Sequence, residues 1–275
     1  MNSFISQITT HGVLAFGVLL MIVPIWIIFA SSTHENYILI TEGLQFIIGE
    51  NFVNNYLNIF FETGGFSDRV TLSTLFLNSF IMAFGIAFLS VITSLMSAYT
   101  IVYFRIKFAT LFFWIIFITL LIPLEVRILP SYQVVSNLNL VNTYAGLILP
   151  LTSSAIATLF FRQFLKTIPD ELLESAKLDG VSSWQFFKDF VIPLAKPMLI
   201  AIFVFMFVYG YNQYLWPIIS TSKEKYWTVV MGMKIMFWGN PVSRLTYIIL
   251  SIIPPLFIVI YLQKWFIKGL IQTEK

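Results

Sequence analysis

Apolar residues fall along this chain in long unbroken runs, and polar residues gather between the runs. A hydrocarbon layer about 30 Å thick needs roughly 17–25 apolar helical residues to cross it. Six stretches meet that length: Gly12 to Ala30, a stretch within Leu72 to Phe104, Phe108 to Leu124, about Thr143 to Phe161, Met198 to Ile219, and Leu245 to Gln263. The second is long enough for an extended or tilted helix. Pro254 and Pro255 fall inside the sixth, where two missing backbone donors predict a kink. The expected fold is all-α, a polytopic membrane protein with six transmembrane helices. Residues 1–11 carry no Lys or Arg, so the first run reads as an uncleaved helix and not as a signal peptide.

Composition sharpens this reading. Of 275 residues, 58% are hydrophobic and 11% are charged, whereas soluble domains carry about 25% charged residues. So few charges cannot cover a water-facing surface, which excludes a soluble enzyme; so much apolar side chain excludes intrinsic disorder. The net charge of +3 comes without basic runs, so no nucleic-acid partner is expected, and membrane lipid is. There is no Cys, and His11 and His34 are too few for a metal cluster, so no metal is expected. No phosphate-binding GxxxxGK[ST] stretch exists. The chain is expected to hold no cofactor and to be no enzyme itself; if ATP drives it, a partner subunit must bind ATP-Mg.

Six spans put both termini on one side. Ten Lys and Arg, among them Arg105, Lys107, Arg162, Lys166 and Lys177, then share the N-terminal side, against Arg69, Arg127, Lys223, Lys225, Lys234 and Arg244 opposite. The positive-inside rule favours N-in and C-in. The chain divides into 1–71, holding the first helix (12–30) and an outer loop; a transporter domain over 72–263 with a cytoplasmic loop at 162–197; and a cytoplasmic tail at 264–275. The outer loop is acidic, with Glu35, Glu42, Glu50, Glu62 and Asp68 against Arg69. It suits docking of an extracytoplasmic partner or, equally, a solvated cap.

The cytoplasmic loop reads RQFLKTIPDELLESAKLDGVSSWQFFKDFVIPLAKP. Pro169 suits a helix start, and Asp170 and Glu171 complement the positive end of the helix dipole. Gly180 predicts the stop, because glycine readily adopts the left-handed conformation after a helix end. Ser182 with Gln185 forms a capping-box pattern for a second short helix, which Pro193 and Pro197 are expected to end. Ala176 and Gly180 place two small residues on one face, with the Glu174 carboxylate beside it. Such a knob suits gripping by a partner; the same pattern also suits an amphipathic connector on the membrane surface.

The run Glu174-Ser175-Ala176-Lys177-Leu178-Asp179-Gly180-Val181, followed by Phe190-Val191-Ile192-Pro193, resembles the EAA loop of ATP-binding-cassette importer permeases. Glu174, Ala176, Gly180 and Pro193 match that pattern in spacing; Ser175, Val181, Phe190 and Ile192 depart from it by small or apolar exchanges. The whole layout is similar to the maltose-type, carbohydrate-importing group with the type I transmembrane fold. The runs LFFWIIFITLLIPLEVRILP (111–130) and YGYNQYLWP (209–217), supported by Leu77-Asn78-Ser79-Phe80, resemble the sn-glycerol-3-phosphate branch of that group. The resemblance implies a non-identical sister permease, two copies of a cytoplasmic ATP-binding subunit and an extracytoplasmic solute-binding protein. It implies sn-glycerol 3-phosphate as cargo, with a di- or oligosaccharide as the alternative. By carry-over, Glu174, Ala176, Asp179, Gly180 and Pro193 would couple to the ATPase.

Polar residues at membrane depth are costly and point to a pathway or an anchor. Arg127, two residues from Glu125, could meet a phosphate through paired hydrogen bonds, or serve as an interfacial anchor. Tyr209, Tyr211, Asn212, Gln213, Tyr214 and Trp216 form a polar-aromatic cluster between Gly210 and Pro217, suited to lining a cavity or to an aromatic belt. The pathway candidates are Arg127, Asn212, Gln213 and Tyr214. A gradient-driven secondary transporter would need acidic residues inside the spans, and a membrane enzyme would need a His or carboxylate cluster there. The six core runs contain no Asp or Glu.

Overall fold

A computed structural model describes residues 2–61, 70–104, 107–236 and 240–271. Glu62, Asp68, Arg69, Arg105 and the last four tail residues lie outside them. Every regular element among the described residues is helical. In chain order they are α1 (Asn2–Ser32), α2 (Asn36–Thr41), α3 (Phe52–Phe61), α4 (Leu72–Tyr103), α5 (Ala109–Ile118), α6 (Leu124–Asn137) and α7 (Tyr144–Ile148). After these come α8 (Ala155–Leu165), α9 (Asp170–Leu178), α10 (Ser183–Leu194), α11 (Lys196–Tyr211), α12 (Leu215–Ser220), α13 (Val229–Met236) and α14 (Pro241–Ile271).

Among the described residues, three helices are long and apolar enough to cross a membrane unaided: Thr9–Ser32 within α1, the whole of α4, and Pro241–Trp265 within α14. The other apolar runs are broken. α5 passes through a 3₁₀ turn at Thr119–Leu121 and an extended Ile122 before α6 leaves at 108°. Pro123 sets this break, because a proline pushes the residue before it out of the helical region. The run from Tyr144 bends by 50° after a 3₁₀ turn at Leu149–Leu151. Ser154 restarts it, its hydroxyl accepting the Ala157 N–H at 3.2 Å. α11 ends at Tyr211, short of the expected Ile219, and α12 begins after a gap of three residues. In α14, by contrast, the helix continues through Pro254 and Pro255.

The chain forms two compact units. The first gathers residues 1–76 and 231–253. Its 31–56 segment is stapled to the end of α1: the Gly49 N–H donates to the Thr33 hydroxyl, and the Asn55 amide donates to the Ser32 and His34 carbonyls. Ser31, Ser32 and Thr33 are buried. Burial raises the Tyr56 pKa, an effect partly offset by its hydrogen bond with Ser32.

The second unit holds residues 77–230 and 254–275. Here α4 and α11 cross closely at Gly210, where a Cβ would stand 3.0 Å from the Ala83 Cα. Phe80 and Phe84 meet Phe207 and Phe203 edge-on across the same crossing. The middle of α4 also holds the break before α8: the Thr93 and Ser94 hydroxyls donate to the Thr152 and Ser154 carbonyls, at 3.3 and 3.2 Å. Carbonyls freed where a helix breaks thus find partners inside the protein, as an apolar surrounding demands.

Candidate functional site

The 162–197 loop is a pair of helices at a tight corner. At the end of α9 the Val181 N–H bonds the Ala176 carbonyl and the Gly180 N–H bonds the Lys177 carbonyl. This is the double cap that a left-handed residue makes after a helix, and Gly180 has φ +75° with open space where a Cβ would be. Ser182 and Gln185 form the reciprocal capping box that starts α10. Pro193 does not end that helix, which runs to Leu194 and turns by 74° at Ala195. A π-turn over Phe187–Val191 precedes the proline. Such a turn shifts the pairing by one residue and eases the passage of a residue without an N–H.

Glu174, Asp179, Gly180 and Pro193 are exposed on this corner, with Leu178 89% and Trp184 64% exposed. Ala176 faces the other way: it is buried and lines a small cleft with Tyr99, Tyr103, Phe104 and Phe186. Its small size lets α9 settle onto α4 of its own chain. Hydrogen bonds also tie α4 to the elements on either side of α9, to α10 at Ser183 and to α8 at Leu165. The Tyr99 hydroxyl donates to the Ser183 carbonyl at 2.8 Å and the Tyr103 hydroxyl to the Leu165 carbonyl at 3.3 Å, while the Tyr99 ring lies 4.9 Å from that of Phe187.

A cavity of about 260 Å³ opens where the helix breaks meet. Its walls include Thr119 and Pro123 from the first break, Ser153 and Ser154 from the second, and Arg127 from α6, facing Tyr209 from α11. Of the pathway candidates, Arg127 therefore lies on the cavity. Asn212, Gln213 and Tyr214 are not among its lining residues. Gln213 is buried and its amide donates to the Tyr209 carbonyl at 3.2 Å, so it holds the lining residue in place. Trp216 is buried and donates to the Gly146 carbonyl. Sequence reasoning missed Ser153 and Ser154; the legible signal was a Thr-Ser-Ser run after Pro150 inside an apolar stretch, the pattern of a helix restart.

Far along α4 from the loop lies a second polar cluster. The Asn78 amide donates to the Lys225 and Trp227 carbonyls at 2.9 and 2.8 Å and accepts the Tyr144 hydroxyl at 2.7 Å. Ser79 accepts the Val229 N–H at 2.7 Å. Asn142, with φ +61°, accepts from the Ser222 and Lys223 N–H groups and from the Thr221 hydroxyl. Asparagine is among the few residues that tolerate that backbone conformation. The 220–229 segment is therefore a built surface.

A helical chain of long and broken apolar stretches with an exposed two-helix corner between two of them is the architecture of an importer permease. Residues 90–225 match the family described as binding-protein-dependent transport system inner membrane component. Full-length relatives carry the match over the whole chain, and the protein belongs to that family: it is a multi-pass, inner-membrane permease subunit of a binding-protein-dependent ATP-binding-cassette importer. Among its relatives, the sn-glycerol-3-phosphate transport system permease protein UgpE of Brucella melitensis biotype 1 is 41% identical over 278 residues, covering 98% of each chain. The protein of the same description from Yersinia pestis is 42% identical, covering 98% of this chain and 97% of its own. A bacterial ABC transporter involved in the import of the acidic polysaccharide alginate shares the fold, with a TM-score of 0.81 at 20% identity over 97% of this chain and 98% of its own.

Proposed function

We propose that this chain is one half of a translocation pathway for sn-glycerol 3-phosphate, paired with a non-identical sister permease. Two copies of a cytoplasmic ATP-binding subunit drive it, and an extracytoplasmic binding protein feeds it. The permease itself holds no cofactor; ATP-Mg belongs to the ATPase. Six spans, three of them bent, place both termini and the 162–197 loop inside. Residues 72–263 form the transporter domain.

In this reading the exposed Glu174, Asp179 and Gly180 enter a cleft of the ATPase, with the buried Ala176 holding the corner's shape from within and Pro193 shaping it on the exposed side. ATP binding moves the corner, and the spans reorient from inward-facing to outward-facing. The cargo identity rests on one observation beyond the relatives' descriptions: Arg127 lines the cavity at the helix breaks, beside Tyr209, Ser153 and Ser154. A guanidinium meets a phosphate through two parallel hydrogen bonds, and hydroxyls complete the shell. The decisive experiment is uptake of labelled sn-glycerol 3-phosphate into vesicles carrying all four components. Uptake that needs both ATP and the binding protein supports the reading. ATP hydrolysis stimulated only by a disaccharide would retain the importer and replace the cargo.

A further inference from the structure

Among the described residues, the second span alone is both continuous and free of proline. Among the described residues α4 runs from Leu72 to Tyr103 without a break and without proline. α1 contains Pro24, α14 contains Pro254 and Pro255, and the remaining spans are bent pairs. An unbroken hydrogen-bond ladder is stiff along its axis, whereas breaks and prolines act as joints. Asn78 and Tyr99 are 21 residues apart on this helix, a rise of about 31 Å, which is the thickness of the hydrocarbon layer.

Both ends are fastened to the surfaces that partners would meet. At one end Tyr99 donates to the carbonyl of Ser183, the first residue after the cap at the exposed corner. At the other, Asn78 and Ser79 hold the 225–229 segment by three hydrogen bonds to its backbone. Asn78 and Ser79 are each 1% exposed. Sliding the helix without the segment would strand a buried amide, which is costly in an apolar surrounding. The segment must follow the helix.

We infer that α4 is a rigid link across the membrane, with Tyr99 and Asn78 as its two positioning residues, transmitting displacement of the cytoplasmic corner to the outer 225–229 segment. The link rests on the importer reading and adds to it a route for the signal between the ATPase and the binding protein. It assigns a role to Asn78 that pathway chemistry does not.

The test uses the assembled transporter with its ATPase, sister permease and binding protein. Because the chain contains no cysteine, Lys223→Cys accepts a single environment-sensitive fluorophore two residues before the outer segment. ATP should change its emission, and the binding protein should raise the hydrolysis rate above the basal rate. Tyr99→Phe removes one hydroxyl and keeps the ring; Asn78→Ala cuts the far end. Each should lower the ratio of stimulated to basal hydrolysis by about fivefold or more and abolish the emission change, with the amount of assembled complex unchanged for Tyr99→Phe. Combining them should cost no more than the worse single variant, because a link cut once is cut. Single effects that multiply, or an emission change that survives Tyr99→Phe, would overturn the link while the importer stands. A wild-type complex that takes up no solute would overturn the importer reading and the link with it.

Discussion

At the scale of single residues, two positions separate coupling from cargo recognition. Glu174 is exposed on the corner, so reversing its charge leaves the fold nearly untouched; exposed exchanges usually change stability by less than about 0.5 kcal/mol. Glu174→Lys should therefore abolish ATP-driven uptake while the protein inserts and assembles at wild-type levels, and wild-type uptake in that variant would remove it from the ATPase contact. Arg127 acts on the cargo instead. Arg127→Ala should raise the KM for a phosphorylated cargo by about tenfold or more, since hydrogen bonds to a charged group contribute about 1.5–3 kcal/mol. A neutral cargo should be affected far less; equal effects on both would make Arg127 an anchor. Gly180 is a third case, conformational and not chemical. There is open space around it but φ is +75°, so Gly180→Ala should cost about 1–2 kcal/mol through backbone strain alone, and Gly180→Asn noticeably less in a thermal melt.

At the scale of elements, close packing decides which glycines matter. A Cβ at Gly146 would run into the Leu140 carbonyl, whereas one at Gly12 meets nothing within 4 Å. Overpacking at the first should cost about 1–3 kcal/mol. In detergent, Gly146→Ala should melt several degrees below wild type and Gly12→Ala should melt with it. The helix starts and stops of the loop were legible in the sequence because they are local. Pro169, Gly180 and the Ser182–Gln185 pair act within one turn of the backbone they fix. The bends were not legible as such. Pro123 stands one residue before the end of one apolar run and Pro150 inside another, and a measure of apolar length reports no turn at either. The direction Ala176 faces was also hidden, because spacing gives a face of a helix but not what covers it. Arg127 was found by its cost in an apolar surrounding. Ser153 and Ser154, small and cheap to bury, left no such mark.

At the scale of the whole molecule, the proposed six-span arrangement makes opposite predictions for two exposed sites. Leu178 lies on the corner and Lys223 on the 220–229 segment, and no native cysteine competes for a thiol reagent. In intact cells a membrane-impermeant maleimide should label Lys223→Cys and not Leu178→Cys, and in inverted vesicles the pattern should reverse. Labelling of both from one side would remove the N-in, C-in arrangement, whatever the cargo.

The far-end cluster also bears on how the chain is made. Asn78 finds its partners 66, 147 and 149 residues later in the sequence, at Tyr144, Lys225 and Trp227. When α4 first enters the bilayer, none of them has been synthesised, so a side-chain amide waits in the apolar layer until most of the protein exists. Synthesis through residue 227 is therefore what completes the partners of α4. A chain released before residue 225 carries an uncovered amide, a feature that membrane quality control can read as incompleteness, and such fragments should be degraded faster than the same fragments carrying Asn78→Leu.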